Sequence, residues 1–116
     1  MQYKNPNPDS EDARLSVEQI WKNGCQGHPL SDHDWKHFIA LSRNRFYTYH
    51  LGAQHAQETG QREYLESLEA GFVTELMNAS GLESLWVQSE FRESAIGKSA
   101  YKLIRRRKFK ARFRFV

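Results

Sequence analysis

The segment DHDWKHFIALSRNRFYTYHLGAQHAQE, residues 32–58, constrains the fold more than any other part of the chain. Placed on a helix at about 100° per residue, Trp35, Phe38, Ile39, Ser42, Phe46, Tyr49 and Ala53 fall in one stripe roughly 100° wide. Ser31 or Asp32 is placed to cap its start, with Asp32 and Asp34 suited to the positive end of the helix dipole. Gly60 is a natural stop. The far side is not fully polar, because Leu41, Tyr47 and Leu51 lie there. Such a helix either sits at the centre with neighbours on two sides, or offers a partner surface.

The flanking segments supply the neighbours. Ser16 with Gln19 three residues later is a capping box, and Gly24 ends the short helix that it opens over about residues 17–23. That helix brings in Ile20 and Trp21. A third helix is expected over 62–78, with Leu65, Leu68, Phe72 and Leu76 inward. Gly71 within it costs roughly 1 kcal/mol against Ala at an exposed position, so it is expected to mark a close helix contact. Ser80 with Glu83 opens a fourth helix carrying Leu82, Leu85 and Trp86. A fifth, about 93–106, brings Ile96, Tyr101, Leu103 and Ile104 inward, although Gly97 weakens it. Short connections between such helices predict an all-α fold, a small bundle of four to five helices. The long pair forms an αα-hairpin at Gly60.

Length and composition set the limits. At 116 residues the chain is one domain. Residues 1–15 read as a flexible leader, 16–104 as the helical domain and 105–116 as a basic aromatic tail. The leader is polar, contains Pro6 and Pro8, and has no signal-peptide pattern. No run approaches the roughly 18 apolar residues of a membrane span. The single cysteine, Cys25, makes no internal disulfide, so nothing implies an oxidising compartment. These readings place the protein in the cytoplasm, with a peripheral membrane position open to it through the tail.

The charge is divided. Seven of the twelve residues of RRRKFKARFRFV are basic, leaving ten basic against fourteen acidic residues in the rest. From Glu58 to Glu93 there are eight acidic residues against Arg62 and Arg92. An acidic body with a basic end is the pattern of an interaction tail. From Lys108 the alternation is strict, as in a strand, yet Phe109, Phe113 and Val116 also share one side of a helix. The binding candidates are Arg105, Arg106, Arg107, Lys108, Phe109, Lys110, Arg112, Phe113, Arg114 and Phe115. Four fates are open to them. They can lie on an anionic membrane, bind nucleic acid, dock on an acidic face of a protein partner or of this chain or pair with a second copy of it, or remain a solvated terminus.

Chemistry-bearing clusters are few. Cys25, His28, His33 and His37 fall within thirteen residues, and His33 with His37 has the i,i+4 spacing that lets two imidazoles reach one ion. The set matches no known zinc spacing, so solvated histidines and a small buried thiol are expected instead. Cys25 beside a histidine permits a thiolate pair, as in any such chain. Glu63, Glu66 and Glu69 are expected to form a solvated acidic face. No P-loop, dinucleotide fingerprint, nucleophile elbow or zincin motif occurs. No catalytic residue, cofactor or small-molecule substrate is therefore expected.

The layout also carries a resemblance. A short helix with Trp21, the DHDWKHFIALSRNRFYTYHLGAQHAQETG helix, the YLESLEAGFVTELM helix, SGLESLW and then Phe91 resemble the helical cytosolic domain of small uncharacterised bacterial proteins, many with an N-terminal transmembrane anchor. It covers residues 16–104. This chain is expected to depart from the pattern in two ways, by having no anchor and by carrying the basic tail. The resemblance implies the helical fold and brings no activity. The expected role is a non-enzymatic interaction or regulatory module whose tail contacts an acidic surface, with a nucleic-acid-binding accessory protein as the alternative and a metal- or thiol-dependent enzyme as a remote one.

Overall fold

A computed structural model describes residues 15–114 along the backbone and side chains through Lys110. The leader proposed for 1–15 lies outside these residues except for Leu15, as does Phe115. The described chain is all-α. Its helices are α1 (Val17–Cys25), α2 (Asp32–Glu58), α3 (Arg62–Met77), α4 (Ser80–Gln88) and α5 (Ala95–Arg114), with a single 3₁₀ turn at Glu90–Glu93 before the last.

Helix ends follow local chemistry. Ser16 Oγ accepts from the Gln19 amide at 3.1 Å, and Gln19 Oε1 accepts from the Ser16 amide at 2.9 Å, which completes the capping box. Helix α1 does not stop at Gly24. It continues to Cys25 and ends in a Schellman turn, with the His28 amide on the Asn23 carbonyl at 2.9 Å and the Gly27 amide on the Gly24 carbonyl at 3.0 Å. Gly27 takes the required positive φ of 75°. Gly60, at φ 68°, ends α2 in the same way, with the Gln61 amide on the Ala56 carbonyl at 2.8 Å. Ser31 caps α2 by accepting from the Asp34 amide at 3.1 Å. Helix α4 begins after Ala79 without a side-chain cap, so Ser80 is its first residue and not its cap. Ser94 instead caps α5, accepting from the Gly97 amide at 3.1 Å.

Helix α2 is central, packing against α1, α3, α4, α5 and the 3₁₀ turn. Its buried side is Asp34, Phe38, Ser42, Phe46, Ala53 and Ala56. Trp35 does not face inward as its stripe position suggests; it is 42% exposed and its ring lies 5.8 Å from that of Phe38. Asp34, four residues before Phe38 and on the same side of the helix, is covered instead. The positive end of α2 makes this carboxylate tolerable in its first turn. Phe72, Val73 and Leu76 from α3, Leu82 and Trp86 from α4, and Ile96, Ala100 and Ile104 from α5 complete the core. Leu65 and Leu68 are only half-buried. Aromatic rings link the layers, with Phe46–Phe72 at 6.2 Å, Phe72–Trp86 at 5.9 Å and Trp86–Tyr101 at 6.3 Å.

Two glycines let backbones meet and a third admits an aromatic ring. A Cβ on Gly24 would overlap the Phe38 ring, and one on Gly81 would overlap the Gly24 carbonyl oxygen. One on Gly97 would overlap the carbonyl oxygens of Phe91 and Arg92. Gly97 thus seats α5 on the 3₁₀ turn rather than weakening it. Arg43 holds that turn to α2 through a two-pronged ion pair with Glu90. The Arg43 guanidinium holds the Glu90 carboxyl down to about 2, so this link is present above the ordinary carboxylate range and is lost only as pH falls toward that value. Gly71 marks no close contact, since its nearest neighbour to an added Cβ is Tyr49 Oη at 3.9 Å.

These environments give opposite outcomes for one substitution. Gly81→Ala forces a methyl against a backbone carbonyl and is expected to lower unfolding free energy by about 3 kcal/mol. Gly71→Ala is expected to raise it by roughly 0.5–1 kcal/mol. Denaturant titration of the two variants checks this, and equal effects would contradict the proposed packing.

Candidate functional site

The structure does not gather the metal candidates. His28 follows the α1 Schellman turn and is exposed, His33 is exposed in the first turn of α2, and His37 is half-buried beside Leu41, Tyr47 and Phe91. Cys25 instead feels Glu75 of α3 and Arg45 of α2. Among the described residues no group of three or more His, Cys, Asp or Glu side chains is placed to hold a metal ion.

Cys25 is set against reactivity. Burial, and then the Glu75 carboxylate, push its thiol up to about 11. An activated nucleophile needs the opposite shift. Glu75 is itself held by Arg45, whose Nε and Nη2 donate to its two carboxylate oxygens at 2.8 and 2.9 Å. The Tyr49 hydroxyl donates to the same carboxylate at 2.8 Å, and burial followed by this bond pushes Tyr49 up to about 12. The Arg45 guanidinium also lies 5.7 Å from the Tyr49 ring centre. This is a clamp between α2 and α3. A cleft of about 370 Å³ lies alongside, lined by Val17, Trp21, Leu41, Arg45 and Thr48 among others. Of the carboxylates on α3, Glu63 and Glu66 are exposed and Glu69 is half-buried, with Arg62 pairing to Glu66 at 3.3 Å.

The basic tail is the continuation of α5, which runs as helix from Ala95 to Arg114. The period-two alternation after Lys108 is therefore not expressed as a strand through Arg114. Helical geometry sorts the cations into two sets. Arg107 and Lys108 continue the side that buries Ala100 and Ile104. Lys108 Nζ donates to Glu83 Oε1 at 2.8 Å, and Arg107 Nη1 meets Met77 Sδ at 3.8 Å. The turn after Ile104 is thus tied to α3 and α4, with Glu83 supplying one acidic group of the protein's own body.

The second set faces away. Lys98, Lys102, Arg105, Arg106, Phe109 and Lys110 are exposed. Lys98, Lys102, Arg105 and Phe109 stand within a sector about 60° wide along about 17 Å of helix. Arg106 and Lys110 lie about 40° and 80° beyond one edge of it. Arg105 is steadied by its guanidinium 5.6 Å from the Tyr101 ring centre, which Arg92 also faces at 4.9 Å. Arg105, Arg106, Phe109 and Lys110 line a shallow hollow of about 270 Å³. Arg112, Phe113 and Arg114 lie on the same helix. The sequence reading stops the surface at Arg105 and so omits Lys98 and Lys102. Their signal was available in the i, i+4, i+7 spacing of Lys98, Lys102 and Arg105.

The Cys25 environment has a measurable consequence. At pH 8 the thiol is expected to react with iodoacetamide about 100-fold more slowly than an unfolded control, in proportion to its thiolate fraction. Reaction at the control rate would contradict it. By linkage, the upward shifts at Cys25 and Tyr49 favour the fold below about pH 9, and that advantage is lost as pH climbs through about 11 to 12.

No helix of the described residues is long and apolar enough to cross a membrane. Comparison with protein-family models, curated proteins and solved structures found no match for this chain.

Proposed function

We propose that the protein is a non-enzymatic interaction module whose basic α5 contacts an acidic surface. The observation that carries this reading is the alignment of Lys98, Lys102 and Arg105 on the exposed side of a helix whose other side is core, with Arg106 and Lys110 beside them. The core side is held by Ile96, Ala100 and Ile104, and the next turn by Lys108 on Glu83. The cations are thus presented from a fixed backbone, which lowers the ordering cost of a joint contact.

Magnitudes narrow the kind of surface. A single exposed ion pair contributes about 0–1 kcal/mol and is screened by salt. A few scattered carboxylates therefore hold such a helix weakly. A dense array of anions engages all five cations together, and the resulting affinity falls steeply with salt.

Retention on immobilised heparin, a generic polyanion, tests the reading. The full chain is expected to bind and to elute with salt. Arg105→Ala/Arg106→Ala/Lys110→Ala is expected to elute at clearly lower salt, with helicity unchanged. A control with the same charge change elsewhere, Lys22→Ala/Lys36→Ala/Arg62→Ala, is expected to elute close to the parent. Equal losses for the two triple variants would trace retention to net charge and refute the site.

A further inference from the structure

We infer that the surface met by α5 is an anionic phospholipid bilayer, and that the helix lies flat on it along the line Lys98–Lys102–Arg105–Phe109. The inference rests on the polyanion-binding reading above and names its partner.

The position of the cations on the fold is the first argument. Lys98 and Lys102 belong to the part of α5 that buries Ile96, Gly97 and Ala100 against the bundle. Arg105, Arg106 and Lys110 belong to the part that follows. The row therefore runs across both parts on one side of the helix, with the bundle behind its first half. A flat anionic plane reaches all of it at once. A duplex groove about 12 Å wide just admits a helix 10–12 Å across. A helix backed by a bundle can enter such a groove by its outward side, so the duplex is the competing surface that the test below separates from the bilayer.

Phe109 is the second argument. It is 60% exposed and stands in line with Lys98, Lys102 and Arg105, between Arg105 and Lys110 at the shallow hollow. At a bilayer an aromatic ring seats at the headgroup level while long basic side chains keep their charges at the phosphates. The hollow lined by Arg105, Arg106, Phe109 and Lys110 offers both environments over one headgroup.

The expected strength follows from the count. Each basic residue near an anionic leaflet raises partitioning about fivefold. Five of them give an advantage on the order of 10³-fold over neutral vesicles. That makes binding reversible and sensitive to salt, short of a stable anchor.

Sedimentation of the full chain with vesicles tests this. Three probes are compared: phosphatidylcholine alone, phosphatidylcholine with phosphatidylserine, and a DNA duplex of mixed sequence. Binding is expected only weakly to the first and strongly to the second. Lys98→Ala/Lys102→Ala is expected to weaken the second about 25-fold. Phe109→Ser is expected to weaken vesicle binding while leaving heparin elution unchanged. Retention on heparin without sedimentation on anionic vesicles would overturn the bilayer inference and leave the polyanion reading standing. Failure on both would overturn both. Vesicle binding indifferent to Lys98 and Lys102 would refute the flat contact. Tighter binding to the duplex than to anionic vesicles would assign the surface to nucleic acid instead.

Discussion

Close backbone approach at glycine is the constraint on which the arrangement of helices depends. The Gly24 carbonyl lies where a side chain on Gly81 would have to be, and the Phe38 ring occupies the same position over Gly24. Three helices, α1, α2 and α4, therefore meet at one crossing that no larger residue permits. Gly97 repeats the device at the other junction, where α5 crosses the carbonyls of Phe91 and Arg92. Between these crossings the aromatic rings of Phe46, Phe72 and Trp86 fill the core. Packing of this kind resists deformation, because displaced side chains lose dispersion contacts on every side. The direction of α5, and with it the direction of its cations, follows from the seat at Gly97 and from Ile104 in the core.

Periodicity made much of this legible. The stripe through Phe38, Ser42, Phe46 and Ala53 is the buried side of α2, and the capping box at Ser16 and the turn at Gly60 both form. The errors share a physical origin. A glycine in a sequence can end a helix, open a close contact or do neither, and only the position of its neighbour decides. In the sequence Gly24 suggests a stop, Gly71 a contact and Gly97 a weak point; in the fold Gly24 is a contact, Gly71 is exposed and Gly97 is a seat. Trp35 and Asp34 are neighbours in the first turn of α2, where the structure covers Asp34 and leaves Trp35 exposed, and hydropathy alone favours the wrong one.

The basic surface was half legible for a related reason. A composition boundary at Arg105 is conspicuous in the sequence, but helices do not end where composition changes. Because α5 runs on through that boundary, the inward side of the core segment continues into Arg107 and Lys108, and the outward side of the tail continues back to Lys102 and Lys98. Lys108 on Glu83 shows the protein's own acidic body using part of the charge. The alternation of basic and aromatic residues, which suggests a strand when read alone, has no strand to pair with among the described residues and is carried as helix.

The claim on which this reading turns is that α5 is one helix fixed to the bundle beyond Ile104. Native-state amide hydrogen exchange, followed along residues 95–114, tests it most directly. Protection should be strong around Ala100 and Ile104, should continue through Arg107 and Lys108 where Met77 and Glu83 are met, and should decline gradually after Lys110. Exchange at the rate of a free peptide from Arg105 onward would mean that the cations hang from an unfixed arm, and the aligned surface proposed for this helix would not exist.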